Sequence, residues 1–286
     1  MNSRSPHVAP AAAHIVDVLI RERAPGLTAS GLWPLARPLL YALLGYGKAR
    51  RMADAMAPLD GHEALDYADR LLSLEVDARR LEHVPARGRV VVVCNHPTGI
   101  ADGLAVRDAL RRVRDDLLFF ANADALRVCP GLESVTIPVE WVVEKRTRRS
   151  ARRILLRAQA AMESEQCLVI FPAGRIALRN AGGRLKDEAW APTAVSLARR
   201  HQAPILPLHV AGPSSRLFHL FHRISPELRD ITLFHELLNK RGRTFRVVVG
   251  PAIDPATLEG DDAEITGRLK RYVEFQLADG PGRPFR

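Results

Sequence analysis

Val90-Val91-Val92-Val93-Cys94 runs directly into Asn95-His96-Pro97. Such an apolar run reads as a strand buried on both faces, as in a parallel sheet covered by helices. Pro97 ends it, because proline cannot continue a central ladder and holds the residue before it extended. Gly99 keeps the following turn free of side-chain bulk, and Asp102 stands where a helix should begin, ahead of Leu104, Ala105 and Leu110. A strand that stops at an imidazole, with a carboxylate six residues on, places chemistry at a strand's carboxyl end.

An imidazole titrates near neutrality and can take a proton from a hydroxyl or amine as that group attacks an acyl carbon. His96 is then a general base oriented by Asp102. On these residues alone the competing reading is an Asx-type turn with an exposed histidine and a helix-capping aspartate. Neither reading excludes the other without the rest of the chain.

The 286 residues are enough for one substantial core that needs no disulfide or metal. Cys94, Cys129 and Cys167 lie in or beside apolar segments with no CxxC pair, which predicts small reduced core residues. Residues 1–10 lack the apolar stretch of a secretory signal, so a cytoplasmic location is expected. Lys plus Arg number 42 against 32 Asp plus Glu, a formal net charge of +10, which favours polyanionic partners. Aromatic residues make up 6% and no nucleic-acid motif is present, so an anionic lipid surface or an acidic carrier protein is expected rather than nucleic acid.

The spacing of strands and helices predicts an α/β fold: a mainly parallel central sheet flanked by helices, with an N-terminal helical appendage over 1–50 and the main domain over 51–286. Residues 27–47 form the most apolar stretch, but Pro34, Arg37 and Pro38 interrupt it well short of the ~20 residues a membrane span needs. Trp33, Leu39, Leu40, Leu43, Leu44 and Tyr46 suit helices lying in a membrane interface, with Lys48, Arg50 and Arg51 meeting headgroups. The protein is therefore expected to be peripheral on the inner face of the cell membrane. Further strands are predicted at 117–122, 135–138 with 141–143, 167–171, 204–210 and 244–249, and helices over 65–81, 103–116, 218–238 and 261–277.

Two further features carry chemistry. Six of the nine residues from Lys145 to Arg153 are basic, and Arg146, nearest the preceding strand, is placed to receive a phosphate. Phe171-Pro172-Ala173-Gly174-Arg175 ends another strand in the same way as Asn95-His96-Pro97. Gly174 lets backbone N–H groups approach an oxyanion or phosphate, and Arg175 adds a positive charge. His209, inside an apolar strand, reads as a satisfied core histidine.

Asn95-His96-Pro97-Thr98-Gly99-Ile100-Ala101-Asp102-Gly103 resembles the His–Asp motif of glycerolipid acyltransferases, in the NHP-x-G-x-x-DG version of their hemolysin-like or ornithine-lipid branch. Phe171 to Arg175 resembles that family's second block, Pro204 to Gly212 its later strand, and Phe234 to Gly242 the "ELLNKRG" stretch of the ornithine-lipid branch. The resemblance covers about residues 60–255 in the same order. It implies acyl transfer from acyl-CoA or acyl-carrier protein to a hydroxyl or amine of a lysolipid or lipid precursor, without a metal or other cofactor. His96 and Asp102 would be catalytic; Asn95, Gly99, Arg146, Pro172, Gly174 and Arg175 would bind substrate. Two departures stand out: Ala173 replaces the family's glutamate, and Arg175 follows the glycine directly. Both weaken lysophosphatidic acid as acceptor. The alternatives are a noncatalytic lipid- or membrane-binding protein that kept the fold, and a hydrolase using Cys94.

Overall fold

The computed structural model describes residues 13–140, 147–180, 182–280 and 283–285. Helices α1 (Ile15–Arg23), α2 (Pro25–Ala29), α3 (Trp33–Leu44), α4 (Tyr46–Met56) and α5 (Gly61–Leu72) precede the first strand. Then come β1 (Glu75–Arg79), β2 (Val90–Cys94), α6 (Ile100–Leu110), β3 (Leu117–Asn122), α7 (Asp124–Val128), β4 (Thr136–Val139), α8 (Arg148–Glu163) and β5 (Cys167–Ile170). A small hairpin of β6 (Leu178–Arg179) and β7 (Leu185–Lys186) leads to α9 (Thr193–His201) and β8 (Ile205–Ala211). Three short helices, α10 (Arg216–Ile224), α11 (Pro226–Asp230) and α12 (Leu233–Leu238), separate β8 from β9 (Thr244–Val249). Helix α13 (Asp262–Arg271) continues through a π turn at Tyr272–Gln276 into a final short helix, α14 (Leu277–Asp279).

Seven strands form one sheet in the order β1-β9-β8-β2-β5-β3-β4. The expected mainly parallel sheet is present: only β8 and β9 pair antiparallel. The valine run lies near the middle, with Val91 facing Leu168 of β5 and Ile205 of β8. Alternation of side chains divides it between two layers. Val90, Val92 and Cys94 join α1, α4, α5 and α6 in one core; Val91 and Val93 join α8, α9 and α13 in the other. Every residue from Val90 to Cys94 is fully buried, which accounts for the absence of a polar face.

Several sequence expectations change. The helix read over 65–81 ends at Leu72, and Glu75–Arg79 is a strand. Its sequence, EVDAR, is polar because β1 is an edge strand, and its partner β9 lies some 170 residues away. The helix read from Gly103 begins at Ile100, because Gly99 is its N-cap. The helix over 218–238 is three helices, broken at Ser225-Pro226 and at Ile231-Thr232. The domain break at residues 50 and 51 falls inside α4, whose Ala49, Met52 and Ala53 share a core with β2. The strand residues expected at 141–143 lie outside the described residues.

Among the described residues no helix is long and apolar enough to cross a membrane. The outer side of α3 is nonetheless apolar: Leu32, Leu35 and Leu39 are 72%, 79% and 73% exposed, and Leu43 is also exposed. Leu35, Leu39 and Leu43 recur every four residues, so they form one stripe. Leu40, Tyr41 and Leu44 on the opposite side pack into the core.

Candidate active site

The residues after β2 build a tight local turn. Asp102 is the third residue of α6 and is completely buried. Its Oδ2 accepts hydrogen bonds from the backbone N–H groups of Thr98 (2.8 Å) and Gly99 (3.0 Å), and its Oδ1 accepts the Thr98 hydroxyl (2.6 Å). A carboxylate in the first turn also suits the positive end of the helix dipole. Gly99 holds φ 101° and ψ −144°, backbone that side chains rarely adopt, and a Cβ there would come within 2.9 Å of Ile176.

This turn brings Asp102 Oδ2 to 3.0 Å from His96 Nδ1. The separation is within hydrogen-bond range, but the carboxylate lies off the ring's N–H direction, so the contact is an electrostatic one that has yet to align. Catalytic hydrogen bonds commonly tighten only when substrate is present. The other ring nitrogen, Nε2, makes no hydrogen bond to any described residue, and the side chain keeps 17% of its exposure. His96 thus offers one nitrogen to a fixed carboxylate and the other to whatever approaches.

The second block meets the first directly. The His96 ring lies against Phe171 with centroids 4.6 Å apart, and the Ala177 N–H donates to the His96 carbonyl at 2.8 Å. Pro172 is buried, and its carbonyl accepts from Ala191 N–H. Gly174 adopts the left-handed φ of 65° that its turn requires. Its own N–H donates to the Phe171 carbonyl at 3.0 Å and closes the turn, so any donor to an oxyanion comes from the neighbouring residues. The N–H groups of Ala173 and Arg175 have no acceptor among the described residues. Arg175 is exposed and has no acidic partner among the described residues.

Asn95 also departs from its expected role. Its Nδ2 donates to the Val210 carbonyl (2.8 Å) and its Oδ1 accepts the Val210 N–H (2.7 Å), so the amide ties the end of β2 to β8. It acts where Pro97 prevents the ladder from continuing. Arg146 lies outside the described residues. His209 donates through Nδ1–H to the Val273 carbonyl at 2.9 Å, as a core histidine should. Cys94 is fully buried, and burial pushes its thiol well above the usual range, which removes it as a nucleophile. The Phe234–Gly242 stretch serves packing: the buried Lys240 ammonium donates to Glu236 (3.1 Å) and Asn239 (2.7 Å).

Sequence reasoning assigned no role to Asp187, which turns out to be central. Both of its oxygens lie 3.2 Å from the backbone N of His96, and Oδ2 also accepts the Trp190 indole N–H at 2.9 Å. Its own N–H donates to Glu274, which is in turn paired with Lys270. Burial pushes the Asp187 carboxyl up to about 6, against the downward pull of the Trp190 and His96 donors. The only local signal was its spacing from Trp190, since its partners come from β2 and the π turn. Asp187, Glu274, Asn95, Pro97, His209 and Gly212 line a cleft of about 190 Å³ beside the His96 backbone.

Residues 75–211 match the family model described as Acyltransferase. The chain is 27% identical to a lyso-glycine lipid O-acyltransferase of Phocaeicola vulgatus over 70% of its own length and 71% of that protein's. It is 25% identical to a protein of the same name from Bacteroides thetaiotaomicron, over 75% and 78% of the two lengths. Among solved structures, the LPA acyltransferase PlsC from Thermotoga maritima aligns with 93% of this chain and 100% of that chain, at 15% identity and a TM-score of 0.49. The family match spans the strands from β1 to β8, and both the His96 and Phe171 blocks lie inside it. Residues 75–211, from β1 to β8, thus match an acyltransferase domain, and the chain is an acyltransferase.

Proposed function

We propose that the protein transfers a fatty acyl group from an acyl thioester to a hydroxyl of a lysolipid, with His96 as general base and Asp102 as the group that orients it. The observation that carries this reading is the division of the imidazole: Nδ1 is 3.0 Å from a buried carboxylate and Nε2 is left without a protein partner. The acceptor O–H gives its proton to Nε2 as its oxygen attacks the thioester carbonyl. The imidazolium that results is stabilised by Asp102, and its proton leaves with the departing thiolate. No acyl-enzyme is formed, and no cofactor beyond the donor thioester takes part. The unclaimed N–H groups of Ala173 and Arg175, in the turn that packs on His96, are the donors we assign to the developing oxyanion.

Arg175 is free to meet a phosphate on donor or acceptor. The hydroxyl acceptor is favoured over an amine because both relatives are named O-acyltransferases. Asp187 holds the backbone of His96 and positions the base without touching substrate. The apolar stripe on α3 is our candidate for contact with the cytoplasmic leaflet, strengthened by Arg37, Lys48, Arg50 and Arg51 nearby in the chain. The test is direct: incubate the protein with labelled acyl-CoA or acyl carrier protein and a panel of lysolipids and amines, and identify products by mass. An O-acylated lysolipid formed by the native protein and absent with His96→Ala supports the reading. Product formed equally by both proteins refutes the role of His96, and amine acylation alone refutes the acceptor class.

A further inference from the structure

We propose that the arginine face of α8 is the docking surface for an acidic acyl carrier protein, which delivers the acyl thioester to His96. The inference rests on the acyl-transfer reading above and adds the identity of the donor's carrier. Arg148, Arg149, Arg152 and Arg153 are all exposed, and none forms a side-chain hydrogen bond or ion pair with a described residue. At 100° per residue these four share one sector of the helix with Leu156, while Ala158, Ala161 and Met162 face the core. Leu155 and Leu156 are 50% and 55% exposed, an apolar patch within the cationic face.

The chain neutralises several guanidinium groups elsewhere. Arg107 meets Asp66 and Asp69, Arg114 meets Asp116, and Arg127 meets Glu22 and Asp124. Four arginines within six residues, none paired with a described residue, keep a concentrated positive field that such pairing would abolish.

The position of this face points to the donor. In the chain, α8 follows β4 and leads into the amino end of β5, both parallel to β2. Halfway along α8, Arg157 donates to the carbonyls of Glu133 (2.8 Å) and Thr136 (3.4 Å), at the start of β4. The helix therefore runs antiparallel to the strands, and its arginines lie at their carboxyl edge, where His96 also sits. β4 is three strands from β2, about 14 Å at the usual strand spacing. A flexible thioester arm can cross that distance.

The exposed leucines of α3 argue against a bilayer as the occupant. Their helix packs into the core on one face of the sheet and α8 into the core on the other. Two helical layers, each about 10 Å thick, and the sheet lie between them. The screening length at physiological salt is about 8 Å, so a bilayer resting on α3 exerts little force on α8. Nor is one phosphate enough to explain the face. From Arg148 to Leu156 it extends about 12 Å along the helix, which matches a row of carboxylates on a partner helix.

The test compares two donors in the double variant Arg149→Glu with Arg153→Glu. Transfer to one lysolipid is measured from holo acyl carrier protein bearing an acyl chain, and from the same chain on coenzyme A, at low and raised salt. The expected result is a rise of about tenfold or more in KM for the carrier-bound donor, loss of its salt dependence, and coenzyme A kinetics unchanged within about twofold. A calorimetric titration of unacylated holo carrier protein runs alongside: the native protein binds and the variant does not. That arm needs no turnover, so it separates failure of docking from failure of the acyl-transfer reading. Unchanged carrier kinetics and binding would overturn the proposal. So would equal losses with both donors, or lost binding to phosphatidylglycerol vesicles with carrier kinetics intact.

Discussion

β2 and β5 lie side by side in the sheet, and each ends in a turn that contains proline and glycine. The two ends are held in different ways. Beyond β2, Asp102 gathers Thr98 and Gly99 within four residues, and that local turn also sets the carboxylate beside His96. Beyond β5, Gly174 closes the turn on Phe171, and more distant groups hold it in place: Ala191 donates to Pro172, and Ala177 donates to His96. The first turn sets the carboxylate beside the imidazole, and the second packs against that imidazole. His96 itself is set by both kinds of contact: local bonds fix the carboxylate beside its ring, and Asp187, 91 residues away, holds its backbone N–H.

The contrast makes predictions that decrease in size. His96→Ala should lower turnover by about 10³-fold or more, since general-base catalysis alone contributes ~10²–10⁴. Its circular dichroism melt should stay close to native, because the ring is partly exposed and lies tilted against Phe171 at the edge of the core. Asp102→Asn should lose about 10²-fold or more in kcat while still folding. An asparagine can keep Oδ1 on the Thr98 and Gly99 N–H groups and turn its amide toward the Thr98 hydroxyl, but it brings no negative charge to Nδ1. Near-native kcat in this variant would show that the turn matters and the charge does not.

Asp187→Asn tests the long-range support. Loss of one acceptor oxygen loosens the His96 backbone, and kcat should fall about tenfold with KM little changed. Stability should move the other way. The Asp187 carboxyl is raised from its ordinary 3.8 to about 6 in the folded protein, so the folded state binds its proton more tightly than the unfolded chain. Native stability therefore falls as pH rises from about 4 through 6, by on the order of 3 kcal/mol once the carboxyl is ionised. The asparagine variant lacks this loss, and denaturant midpoints measured from pH 4 to pH 8 should show its advantage growing up to about pH 6. An equal pH dependence in both proteins would remove Asp187 as the source.

Gly99→Ala should cost about 1–3 kcal/mol, because alanine at φ 101° is strained and its methyl meets Ile176. Activity should fall with it, since the same backbone carries the N–H that fixes Asp102. The smallest effect is expected from Arg175→Gln: a few-fold rise in KM for an anionic substrate, with stability unchanged. A larger change in kcat than in KM would mean that the arginine acts on the transition state.

Much of the site was legible because its determinants are close in the chain. His96, Asp102 and Gly99 occupy one turn, so residue type and spacing were enough to pair them. Pro172 and Gly174 were readable as a strand end, but the loss of the Gly174 donor to Phe171 follows from the exact turn that formed. Asn95 was misread because its partner, Val210, lies 115 residues away. Asp187 was passed over for the same reason: its bonds run to His96 and Glu274, 91 and 87 residues distant. Polar β1 was taken into a helix because strand character at a sheet edge comes from its neighbour and not from its own hydrophobicity.

By itself the sequence determined the alternation of buried strands with helices, the central place of the valine run, and an imidazole and a carboxylate joined by a short glycine turn. Those features depend on local sterics, hydrogen bonds within a few residues, and the burial of continuous apolar runs. Only the tertiary structure decided that Asp187 holds the His96 backbone, that Asn95 stitches the sheet, and that the apolar α3 and the cationic α8 occupy opposite layers. Strand order and layer assignment arise when distant segments exclude water from a common core. No stretch of chain carries that information alone.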